Sequence, residues 1–146
     1  MCKQFDYEHV EVGQELGQLD YHVDEELNRR FSAAVGNPEP WYLLDAQGTR
    51  IAEPTIFGRQ YLRMLRNTYP EFRMHGVHAS SKVAFIRPVY FGYYHIFATI
   101  TDKYVKRGGK YIVIETTVKD EKGSEVVLYE DTLMTNYPEF RELRGR

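Results

Sequence analysis

Four β-type segments follow one another between His78 and Tyr137, and no other feature limits the fold of this chain so strongly. They read "HASSKVAFIRPV", "YHIFATITDKYVKR", "KYIVIETTVKDE" and "EVVLYEDTLMTNY". Gly92, Gly108–Gly109 and "EKGS" punctuate them. The last two connections are short and of hairpin type, which predicts antiparallel neighbours. Alternation is clearest in the third segment. Tyr111, Val113, Glu115 and Thr117 fall on one face, and Ile112, Ile114, Thr116 and Val118 on the other.

Two helices are predicted ahead of this meander. Asp24 reads as an N-cap, followed by Glu25 and Glu26 where the helix dipole favours negative charge. Leu27, Phe31, Ala34 and Val35 then recur at helical spacing, and Gly36 is a natural stop. The second helix is expected from Pro54 to Tyr69, with an apolar stripe of Phe57, Tyr61, Leu62, Leu65 and Tyr69. Arg59, Arg63 and Arg66 lie off the stripe and are expected to face solvent as salt-bridge partners. "VEVGQELGQLDYHV" reads as short strands or an arm. Together these segments define an α+β chain, a sheet wrapped against one long helix.

At 146 residues the chain is most simply one domain, 1–146, with a charged tail from about residue 138 expected to be loosely held. A single cysteine, Cys2, cannot form an internal disulfide. The opening residues have no apolar run of signal-peptide length, and no later stretch is long enough to span a bilayer. The expectation is a cytoplasmic, soluble protein without a membrane partner. Charge is uneven: through Gln47 there are three Lys/Arg against ten Asp/Glu, a net of −7, and the remainder carries +5. A solvated face explains most such asymmetry; a basic region can also attract an anionic ligand such as a nucleotide phosphate, but with no basic run or known motif it does not predict nucleic-acid binding. His75 and His78 lack a third ligand nearby in sequence, so no metal site is expected; His9, His22 and His95 carry no pattern.

Several segments resemble the MaoC-like hot-dog proteins, which include (R)-specific enoyl-thioester hydratases and 3-hydroxyacyl-thioester dehydratases. The segments are "FDYEHVEVGQEL", "RRFSAAVGNPEPWY", "RIAEPTIFGRQ", "FIRPVYFG" and "VIETTVKDEKGSEV", spanning roughly Phe5 to Thr135 in the family's order. The resemblance implies a curved antiparallel sheet around a central helix. It also implies a dimer of two such units, with a pantetheine thioester of coenzyme A or acyl carrier protein threaded between them and no other cofactor.

Active members of that family carry Asp-x-Asn-Pro-x-His after the short helix. The carboxylate and imidazole hold one water and move its proton as it adds to, or leaves, a double bond conjugated to the thioester. A backbone N–H near the start of the central helix stabilises the enolate oxygen. This sequence departs from that pattern. Asn37 falls at the Asp, Glu39 at the Asn and Tyr42 at the His, while Pro40 is kept. Asn37 cannot take a proton, and Tyr42, with an ordinary pKa of about 10, is a poor base. Glu53 and Pro54 replace the glycine before the helix, and Pro54 has no N–H.

The degenerate loop resembles the branch lacking the Asp/His pair. That branch comprises the non-catalytic subunits of heterodimeric dehydratases and the N-terminal halves of two-hot-dog dehydratases. The expected function is therefore acyl-thioester binding by a subunit that needs a catalytic partner. The resemblance places Trp41, Glu53, Pro54, Thr55, Phe57 and Arg59 beside the substrate, with Arg59 near a phosphate. The cations of "KRGGK" are candidates for the 3′-phosphate of coenzyme A. The alternative is a self-sufficient homodimeric lyase using Glu39, Tyr42 or His78. A hot-dog thioesterase ranks lower because no carboxylate lies within Pro54–Tyr69. A non-enzymatic module that binds an apolar molecule is the remaining reading.

Overall fold

The computed structural model describes residues 6–37, 43–70 and 76–145. After a 3-10 turn at Tyr7–His9, strand β1 (Glu15–Val23) runs into helix α1 (Glu25–Ala34). Helix α2 (Gln60–Thr68) follows, then strands β2 (Val77–Phe85), β3 (Gly92–Lys106), β4 (Gly109–Asp120) and β5 (Glu125–Met134), and last helix α3 (Tyr137–Arg144). The five strands form one antiparallel sheet in the order β1-β3-β4-β5-β2. The α+β architecture expected from the sequence is present.

The hairpins follow from local chemistry. Arg107 and Gly108 both take positive φ (52° and 84°) between the paired residues Lys106 and Gly109. This is the mirror-image turn whose twist matches that of the strands it joins. At the other hairpin Asp120 Oδ1 accepts from the N–H of Lys122 and of Ser124, at 2.9 Å each. Alternation in β4 holds in part: Ile112, Ile114, Thr116 and Val118 are buried and Glu115 is exposed, but Val113, on the same face as Glu115, is buried as well. Ile112, Ile114 and Val118 meet Tyr61, Met64, Leu65 and Tyr69 in a single core, and α2 packs on β1 and β3.

Four expectations need correction. The central helix does not run from Pro54. Residues 54–59 form turns, with Ile56 N–H donating to Glu53 O and Gly58 N–H to Thr55 O. Arg59 then adopts a left-handed conformation (φ 72°), so the regular helix begins only at Gln60. Arg59, Arg63 and Arg66 are exposed as expected, but none pairs with an acidic group among the described residues.

Helix α1 is capped by Asp24, which accepts from Leu27 N–H at 2.7 Å, and the chain turns away at Gly36 (φ 81°). Its fully buried positions, however, are Asn28 and Ser32. Leu27 and Phe31 are half-buried, and Val35 is exposed. The reason is a backbone need: Asn28 Oδ1 accepts the N–H of Glu53 at 2.8 Å. Burying that donor without an acceptor would cost more than burying the Asn.

The charged tail is also ordered, as α3. Asn136 Oδ1 accepts from Lys110 N–H (2.7 Å) and its amide donates to Gly108 O (3.0 Å), tying the tail to the β3–β4 turn.

Among the described residues strand β2 pairs only with β5, across a bulge between His78 and Ser80, and all nine of its residues are exposed. Among the described residues no helix is long and apolar enough to cross a membrane. No group of three His, Cys, Asp or Glu among them could hold a metal ion.

Candidate functional site

The end of α1 and the turns at 53–59 place several of the expected site residues together. Asn37 N–H donates to Ser32 O at 2.7 Å. Its side-chain amide donates to Glu53 Oε2 across a long 3.4 Å contact. Glu53 is half-buried, and its own N–H is held by Asn28. Pro54 contributes no N–H and the N–H of Ile56 closes a turn on Glu53 O, at 3.1 Å. The donors a thioester oxygen would need at the start of this segment are thus engaged at 53 and 56 and absent at 54. An amide and a carboxylate face each other instead.

Glu39, Pro40, Trp41, Tyr42 and His75 lie outside the described residues. Thr55 and Arg59 are exposed and Pro54 is half-buried. Phe57 is 1% exposed and belongs to the core, with its ring centroid 5.6 Å from that of Tyr21 and 5.1 Å from that of Tyr94. In the "KRGGK" turn, Lys110 pairs with Glu8 at 2.9 Å and lies over the Tyr7 ring. Lys106 and Arg107 are exposed.

His78 sits elsewhere, at the start of β2, and meets residues no sequence argument had singled out. Its Nε2 is 3.0 Å from Asp131 Oδ1, the same oxygen that accepts the Ser81 hydroxyl at 2.6 Å. Ser81 therefore donates to a carboxylate and has no imidazole to activate it, so the three residues are not a nucleophilic triad. The His78 side chain is 45% exposed and that of Asp131 only 4%. The Tyr61 ring lies 6.1 Å from that of His78, and burial, then the charge of Asp131, pushes its phenol up to about 12. The same two causes push Tyr129 up, and its buried hydroxyl has no hydrogen-bond partner among the described residues. A readable signal was present: Asp131 shares the parity of Val127, Tyr129 and Leu133, so alternation alone puts a carboxylate on the core face of β5.

Burial likewise pushes Tyr94 up to about 12. An unfolded tyrosine ionises near pH 10, whereas Tyr61 and Tyr94 hold their protons about two units longer. Between pH 10 and pH 12 the unfolded state thus releases protons that the native state keeps, and stability falls as pH rises. Phenolate absorbance should show these two residues ionising only near pH 12 or together with unfolding. Titration of all the tyrosines near pH 10 in a folded chain would contradict that burial.

Neither a protein-family model nor a curated protein matches the sequence. Solved structures do match the backbone. The unliganded (R)-hydratase PhaJ1 from Pseudomonas aeruginosa is 21% identical with a TM-score of 0.70, over 88% of this chain and 84% of that one. The C-terminally truncated HadBC (3R)-hydroxyacyl-ACP dehydratase complex from Mycobacterium tuberculosis is 17% identical with a TM-score of 0.70, over 84% and 96%. The ChsH1–ChsH2 complex from the same organism is 14% identical with a TM-score of 0.67, over 88% and 100%. The chain therefore has the hot-dog fold. Its structural neighbours in that fold include a hydratase and two complexes, one of them a dehydratase.

Proposed function

We propose that this chain binds an acyl thioester, carried on coenzyme A or acyl carrier protein, as the substrate-holding subunit of a MaoC-like hydratase or dehydratase. It pairs with a second hot-dog chain that supplies the acid–base loop. One observation carries the reading. At the position where the resemblance calls for a proton-accepting Asp, the side chain is the amide of Asn37, and it donates to Glu53.

The exposed strand β2 supports a partner. It is an unpaired edge with Val77, Val83 and Phe85 exposed along it, and such an edge pairs with another chain unless it is protected. Two of the similar solved structures are complexes, HadBC and ChsH1–ChsH2. A homodimer is the competing assembly. It would have to rely on groups such as His78 beside Asp131.

Crotonyl-CoA hydration separates the two. The purified chain alone is expected to bind crotonyl-CoA without hydrating it, and hydration should begin on adding a hot-dog chain that bears Asp-x-Asn-Pro-x-His. A candidate for that chain is one encoded in an adjacent reading frame. Robust hydration by the chain alone would replace the first reading with the homodimer.

A further inference from the structure

The imidazole of His78 is fixed from behind by a buried group. A carboxylate oxygen only accepts hydrogen bonds, and Asp131 Oδ1 already accepts one from Ser81. The ring nitrogen 3.0 Å from that oxygen, Nε2, must therefore carry a proton. In the neutral ring this leaves Nδ1 as the acceptor, on a side chain that is nearly half exposed. Such an acceptor is matched by a hydroxyl donor. A methylene offers it nothing.

The location suits the same ligand. His78 touches Tyr61, in the first turn of α2 and two residues beyond the turns at 53–59. It also belongs to the edge strand that a partner would cover, so its open face lies where a cleft between two chains would close. The groups linked to it are Asp131 of β5, Ser81 of β2 on the same carboxylate oxygen, and Tyr61; beyond these, Tyr129 feels the charge of Asp131 and Tyr61 that of Arg59. Both phenols stay protonated and neutral well above physiological pH, which leaves His78, Asp131 and the more distant Arg59 as the groups able to carry charge here.

We infer that His78 is a specificity-determining residue that selects acyl thioesters bearing a hydroxyl on the acyl chain over unsubstituted ones, with Asp131 as the positioning residue that fixes the ring's tautomer. The inference rests on the thioester reading above and adds to it the feature of the acyl group that is read.

Binding of 3-hydroxybutyryl-CoA and butyryl-CoA, which differ by one hydroxyl, tests it by calorimetry on the chain alone and on its complex with the partner. A neutral hydrogen bond corresponds to a preference of about three- to tenfold for the hydroxylated ligand. His78→Phe should erase that preference by weakening 3-hydroxybutyryl-CoA relative to butyryl-CoA, a separation that a merely structural role, which would weaken both alike, would not produce. His78→Leu serves if the Phe variant does not fold. On the wild-type chain, the ¹⁵N resonance of His78 Nδ1 should move with 3-hydroxybutyryl-CoA and stay in place with butyryl-CoA.

If neither thioester binds in either assembly, the thioester reading fails and this inference falls with it. If both bind equally, the thioester reading stands and the inference alone is overturned. A preference that survives His78→Phe, or a resonance that moves with neither ligand, overturns it as well.

Discussion

Replacing Phe57 by Ala should cost the chain about 3–5 kcal/mol of folding stability, the range for deleting a buried aromatic ring. Small domains have roughly 5–15 kcal/mol in all, so the change would remove a large share of the total. Phe57 lies in the turns between residue 53 and helix α2, a segment with little regular backbone hydrogen bonding of its own. Its ring is tilted against Tyr21 of β1 (59°) and set edge-on to Tyr94 of β3 (64°). That contact fastens the segment to two strands at once. Urea unfolding monitored by circular dichroism gives the loss. A drop below about 1 kcal/mol would mean that the turns hold their place without the ring.

Gly76→Ala is the second large expected effect, and it acts by overpacking. A Cβ at Gly76 would stand 2.3 Å from the backbone oxygen of Met134, with Leu133 Cδ1 at 3.4 Å. Real contacts are never that short, and a backbone oxygen held in the sheet cannot swing aside as a flexible side chain would. Forcing extra atoms into packed sites costs typically about 1–3 kcal/mol. The strain would be relieved by lifting the start of β2 away from β5, where Val77 pairs with Met134 and His78 with Leu133. The variant should therefore loosen the His78–Asp131 contact as well as lower the melting temperature. Hydrogen exchange along β2 and β5 is the direct measurement. Unchanged protection together with full stability would show that the glycine is not required for this approach.

Much of the fold could be read from residue order because the signals were local. Two glycine-bearing turns and a period of two fix β3, β4 and β5, and Asp24 with the acidic pair after it fixes the start of α1. The misreadings came from signals that are not local. Arg59 in a left-handed conformation has no residue-level marker, since arginine ordinarily favours helix. Asn28 looks like a flaw in an apolar stripe until the N–H of Glu53, 25 residues later, is seen to need an acceptor. The position of β2 beyond β5 depends on the whole sheet. Adjacent segments usually pair, and β2 instead crosses to the far edge. The candidate site divides in the same way. Asn37 and Glu53 were singled out by their place in the family's motif, but the contact between their side chains, 16 residues apart, was not legible, nor was the pair of His78 with Asp131, 53 apart.

Strand β2 carries one further consequence, for how the protein is kept in the cell. Of its nine residues only Lys82 is a fixed charge, and that side chain is drawn 2.9 Å from Glu130 on the neighbouring strand rather than left to guard the rim. The rim is a template for any extended chain that meets it. On the heterodimer proposed above, a newly made copy without the second chain would be recognised as incomplete by chaperones and proteases, because its exposed apolar edge resembles a folding intermediate. The steady-state amount of this chain would then follow the supply of its partner more closely than its own rate of synthesis.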